Sequence, residues 1–146
     1  MSKSNSCENN LLKLIFNNTT WANIGDATGI VGSSTAGSLF PALYTSDPGE
    51  AGDQTSNEIA YTGYSRPAVA RSSGGWTITN NSVSPAATIS FGLMTAGAGG
   101  TATHWGVGRA STSTGELLYS GTISPNITVA NGVTPQLTTA SAITED

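Results

Sequence analysis

The chain has 146 residues, nine acidic and five basic, and only 10% of them carry charge. Lys3, Lys13, Arg66, Arg71 and Arg109 are scattered, so no basic stripe exists to displace counterions from a phosphate backbone, which argues against a nucleic-acid partner. No apolar run approaches the length of a membrane span and no signal-peptide pattern opens the chain, so no membrane association is expected and synthesis in a reducing cytoplasm is. Eighteen glycines, with abundant Ser, Thr and Asn, disfavour long helices and suit short strands joined by Gly-rich turns.

Taken in order, Ser6 is placed to cap a short helix with Glu8 in its first turn, near the positive end of the helix dipole. Leu11, Leu12, Ile15 and Phe16 recur at helical spacing, and Asn17-Asn18-Thr19-Thr20 ends the pattern. Residues 22–38 are small, polar and without periodicity, which reads as an extended arm ordered on the surface or as a flexible linker. The chain therefore divides into a helix and arm at 1–38 and a β domain at 39–146. Residues 39–45 form a strand that Pro41 assigns to an edge. Asp47 to Asp53 is turn-rich. Ile59, Tyr61 and residues 64–69 read as a strand pair broken at Gly63, followed by strands at 76–79 and 87–94.

Residues 101–123 carry the clearest pattern. Thr103, Trp105, Val107 and Arg109 alternate with Ala102, His104, Gly106 and Gly108, and Leu117, Tyr119 and Ile123 share a face after the turn-forming run 110–115. Two alternating runs around a Gly-containing loop form a hairpin. Pro125, Ile127, Val129, Val133 and Leu137 mark terminal strands around an Asn131-Gly132 turn, and Ile143 lies in a short acidic tail. The sum is a mainly β protein, a β-sandwich or jelly-roll-like domain of about seven to nine short strands with one amino-terminal helix.

Chemistry is sparse. His104 is the single histidine, and beside Trp105 on a strand it reads as structural rather than as a general base. No Gly-x-Ser-x-Gly elbow occurs, and Gly32 to Gly37 lacks the lysine of a phosphate-binding loop. Cys7 has no partner for a disulfide or a metal cluster. Asp47, Glu50 and Asp53 sit three apart in a Gly-rich loop where calcium is conceivable, but Asp-Pro-Gly is also a common turn. Tyr44, Tyr61, Tyr64, Trp76 and Trp105 make either an aromatic sugar platform or the large residues of a Gly-rich core. Their alternation with small residues favours the core. No enzyme activity, catalytic residue, metal or cofactor is expected.

The order of Asn-Asn-Leu-Leu-Lys-Leu-Ile-Phe, Leu-Tyr-Thr-Ser-Asp-Pro-Gly-Glu, Tyr-Ser-Arg-Pro-Ala-Val and Ala-Thr-His-Trp-Gly-Val-Gly-Arg resembles a family of small tailed-bacteriophage virion proteins. The family includes tail fibre proteins and capsid decoration, or cement, candidates. The resemblance runs from about residue 9 to the end, and residues 22–38 depart from it. It implies a virion structural protein and no catalytic residues. A short β domain without heptads or a repeated prism suits a cement protein on the capsid exterior. The expected partners are then the major capsid protein and further copies of the chain, as a trimer or dimer. The alternative is a tail fibre or tail-tip component that binds a host surface glycan.

Overall fold

The computed structural model describes residues 2–145. In chain order the elements are α1 (Asn5–Asn17), β1 (Ser38–Tyr44), β2 (Val69–Ala70), β3 (Trp76–Thr79), β4 (Ser82–Pro85), β5 (Ile89–Ser90), β6 (Gly100–Gly108), β7 (Leu117–Val129), β8 (Gln136–Leu137) and β9 (Ile143–Thr144). The protein is mainly β, with one short amino-terminal helix and several antiparallel strand pairs. It forms two compact units, each built from separate stretches of chain. One takes residues 1–38, 69–88 and 138–146, and the other takes 39–68 and 89–137. Residues 69–88 and 138–145 group with the amino-terminal segment rather than with the strands that follow residue 38. The reason is that α1 needs a surface for its apolar stripe, and the β3–β4 hairpin supplies it.

In the first unit, Ser4 rather than Ser6 caps α1, its Oγ accepting from the Cys7 amide at 3.3 Å. Asn18 closes the helix in the left-handed region at φ 54° and donates its amide to the Lys13 carbonyl. Glu8, Leu12 and Phe16 are buried at four-residue spacing, the i, i+4 stripe of an amphipathic helix. Phe16 meets Trp76 of β3 edge-on, with centroids 4.9 Å apart, and both are fully buried. β3 and β4 pair from Trp76↔Pro85 to Thr79↔Ser82 around Asn80-Asn81, with Asn80 at φ 56°. Asn80 also takes a hydrogen bond from Asn9 of the helix. The acidic tail is not loose. Ile143 of β9 pairs with Val83, Asn81 and Glu145 bond each other's backbone at 2.8 Å, and Lys3 reaches the Glu145 carboxylate at 2.9 Å.

Residues 22–37 form coil, tied down at several points rather than free. Trp21 and Ile30 exchange backbone hydrogen bonds at 2.9 Å, and Asn18 brackets the Ser33 backbone with both atoms of its carboxamide. The Asp26 carboxylate accepts from the amides of Thr28 and Gly29. Gly29 is at φ 68°, and a Cβ there would lie 2.0 Å from the Trp21 carbonyl oxygen, so the turn admits glycine alone. Arg71 completes the fastening. Its guanidinium donates to Leu14 and Ile15 at the end of α1 and to the Ala36 carbonyl. The last helical turn has no basic residue of its own, so Arg71, distant in sequence, supplies the cation that the carbonyl end of the dipole favours.

In the second unit β6 is central, flanked by β1 from Phe40↔Gly108 to Tyr44↔His104 and by β7 on its other side. The expected hairpin is present as β6 and β7. Trp105 and Val107 are buried, facing Gly121 and Tyr119 of β7. The pairing slips twice. Leu118 is an extra residue between Leu117↔Gly108 and Tyr119↔Val107, and residues 123–126 stand opposite Thr103 alone. Ile123 lies in that bulge rather than in the Trp105 patch. Leu39, Leu43, Tyr44, Ile59, Phe91, Met94, Val129 and Leu137 complete the core. The strand pair expected at 59–69 is largely coil, with bridges at Tyr44↔Glu58 and Thr62↔Ala96. The strand at 87–94 shortens to β5, because Gly92 takes φ 87° and leaves the extended region.

Candidate functional site

The second unit devotes most of its buried polar groups to one loop, residues 109–116, which joins β6 to β7. Arg66 lies beneath it with its side chain only 3% exposed. Nε and Nη2 grip both oxygens of Glu58, at 2.7 and 2.6 Å. Nη2 also donates to the Gln54 carbonyl, while Nη1 donates to the carbonyls of Ala110 and Ser113 at 3.1 and 2.9 Å. All five donors of the guanidinium fork are thus used. Glu58 in turn accepts from the Tyr64 hydroxyl at 2.8 Å.

Gln54 holds the same loop from below and is fully buried. Its carboxamide oxygen accepts from the Ala110 amide at 2.7 Å, and its nitrogen donates to the carbonyls of Phe40 and Ala110. The Gln54 amide donates to Gly115. Two glycines make room for this carboxamide. A Cβ on Gly108 would lie 2.1 Å from Gln54 Cδ, and one on Gly115 would lie 2.4 Å from Gln54 Oε1. The backbone of the loop is therefore fixed from within, while Ser111, Thr112 and Thr114 face solvent. Arg109 and Glu116 flank it as an exposed ion pair at 2.6 Å. A shallow recess of about 280 Å³ lies alongside, between Gly49, Glu50 and Gly52 on one side and residues 117–120 of β7 on the other. The arrangement presents hydroxyls and a carboxylate–guanidinium pair on a rigid backbone, which suits polar recognition without ordering cost.

Burial and the Glu58 charge raise the Tyr64 hydroxyl well above its ordinary pKa, and burial does the same for Tyr44. Nothing in the sequence periodicity points to this network, because Gln54, Glu58 and Arg66 lie in coil. The available signal was a lone arginine before a proline in a charge-poor chain.

The residues weighed from sequence are dispersed. Trp76, Tyr44 and Trp105 are core residues at 0%, 0% and 5% exposure, as the alternation favoured. Tyr61 and Tyr64 are half-buried, packed edge-on at 5.3 Å, with Tyr64 also stacked on Phe91. The five aromatics do not form an open platform. His104 Nδ1 is 2.9 Å from Thr103 Oγ1, and that hydroxyl donates to the Thr45 carbonyl at 2.9 Å. The one Thr103 proton is thus committed to a carbonyl, so Nδ1–H donates to the hydroxyl and Thr103 is not activated as a nucleophile. Asp47 caps the Gly49 amide, and Asp53 turns to Thr55 and Ser56. The Thr55 hydroxyl and amide hold the Asp53 carboxyl below its usual range. The two carboxylates serve separate turns and do not converge with Glu50. Among the described residues no group of three metal-ligating side chains occurs.

No curated protein matches the chain significantly. The model of one family, podophage GP4 fiber I protein gp80, matches residues 2–144. The match covers nearly the whole length, and the chain belongs to this family of bacteriophage virion structural proteins.

Proposed function

We propose that the protein is a tail-fibre subunit that works by assembly and surface contact rather than by catalysis. The observation that carries this reading is the family match across residues 2–144, whose description is that of a fibre protein. The fixed loop at 109–116 supports it, because a rigid backbone with outward hydroxyls retains its shape in solution and spends little free energy on ordering when it binds. The ligand class proposed for that loop is a neutral host-surface glycan, contacted through hydroxyls and the Arg109–Glu116 pair. The buried aromatics are not proposed as contacts.

Decoration of the capsid exterior through the major capsid protein is the competing placement. Immunogold labelling of intact virions against this chain separates the two. Label on tails supports the fibre, and hundreds of copies on heads overturn it in favour of decoration. Thr112→Arg, at an exposed position, should abolish adsorption while the copy number per virion stays unchanged. Normal adsorption by that variant would remove the loop from the reading.

A further inference from the structure

The outer edge of β7 is the most exposed long strand of the second unit, and its middle is built without the usual guards. Residues 117–129 carry no charge, although edge strands are ordinarily protected by inserted lysines, prolines or bulges. Here the protection is partial. Pro125 and the bulge at 123–126 guard one end and the Leu118 bulge guards the other. Between them residues 119–122 pair regularly with β6, from Val107↔Tyr119 to His104↔Thr122, and among the described residues no strand lies on their far side. Ser120, Gly121 and Thr122 are all exposed.

Gly121 is unexplained by the fold of one chain. It lies in mid-strand, it is not among the glycines with positive φ, and a Cβ there would meet nothing within 4 Å. A strand glycine costs stability, and where no turn needs it the residue often marks close approach by another backbone. We infer that residues 119–122 of β7 are the pairing edge for the same segment of a second copy, the two strands running antiparallel about a two-fold axis at Ser120.

The register follows from the faces. A two-fold axis normal to the sheet places opposite one another only residues that share a face. Centring on Ser120 sets Tyr119 of each copy against Gly121 of the other, an aromatic over a glycine, which is a favourable cross-strand pair. Centring on Gly121 would set glycine against glycine and forfeit that contact. The two bulges stop the ladder at either end, so the pairing is short and limited to one register. The absence of charge matters because each copy carries a net charge of −4, and this stretch brings no like charges together.

The inference does not depend on a fibre placement, and it is tested on the purified full-length chain. In a Cys7→Ser background, Ser120→Cys should form a disulfide-linked dimer under mild oxidation, since opposed residues of antiparallel strands lie within disulfide reach. Thr128→Cys, exposed on the same strand beyond the bulge, should not. Light scattering of the unmodified protein should show concentration-dependent dimer. Ser120→Lys, which puts like charges directly opposite, should give monomer with an unchanged circular dichroism spectrum and melting curve. A wild-type monomer at every concentration, equal crosslinking at residue 128, or a dimer that survives Ser120→Lys would each overturn the inference.

Discussion

Replacing Arg66 with methionine tests the central claim about the second unit, that one guanidinium holds the loop at 109–116. The substitution keeps an unbranched apolar stem of similar reach and removes all five donors. Glu58, with its side chain 15% exposed, keeps the Tyr64 hydroxyl but loses its counter-charge. The buried bond to the Gln54 carbonyl disappears, and so do those to Ala110 and Ser113. Removing one partner of a buried ion pair costs about 3–5 kcal/mol. The surface position of the loop lets the Ala110 and Ser113 carbonyls turn to water, which favours the lower end, about 3 kcal/mol. For a chain of this length that lowers Tm by roughly 10 °C. Urea unfolding followed by circular dichroism should show the lower midpoint, and hydrogen exchange should show lost protection at the Ala110 and Gln54 amides. Arg66→Lys should recover little, because one ammonium cannot span Glu58 and three carbonyls. Changing Glu58 to methionine as well should be milder than Arg66→Met alone, since no bare charge remains. A wild-type midpoint for Arg66→Met, or unchanged exchange at Ala110, would refute the reasoning.

Gly108→Ala should cost roughly 1–3 kcal/mol, because its methyl displaces the Gln54 carboxamide and leaves its buried bonds unmade; a neutral effect on the urea midpoint would show that Gln54 can move. Trp76→Ala should lower stability by about 3–5 kcal/mol through the cavity left against Phe16, read by thermal unfolding; a well-folded variant that fails only in adsorption would return Trp76 to the surface. Tyr64 and Tyr44 have folded-state pKa values raised above the ordinary 10.0, Tyr64 by burial first and then by Glu58. Their contribution is therefore complete below pH 10 and is lost as pH rises from there towards the folded values. Urea midpoints should fall steeply above pH 10 in the native chain, and Tyr64→Phe should flatten that fall; an unchanged slope would remove Tyr64 as its source.

Much of the local structure was legible because it is periodic. The stripe of Leu12 and Phe16 declared α1, and the alternation around Trp105 and Val107 declared β6 and its hairpin partner. Composition alone favoured β over helix, since Gly, Ser, Thr and Asn disfavour helix wherever they lie. The family too was legible, through motifs such as Tyr-Ser-Arg-Pro-Ala-Val. What periodicity does not carry, only the tertiary structure decided. Gln54, Glu58 and Arg66 lie in coil, where a side chain's direction follows from the loop's whole path and not from its spacing. Arg71 ends a helix whose last turn lies more than fifty residues earlier, and Ser4 displaced Ser6 as its cap because the first residue with a free hydroxyl outside the helix is the one that can turn back. The helix chose the β3–β4 hairpin as its surface and drew residues 69–88 into the amino-terminal unit. Burial of an apolar stripe is non-directional, so the sequence announces that a stripe must be covered, and the folded chain alone determines by what.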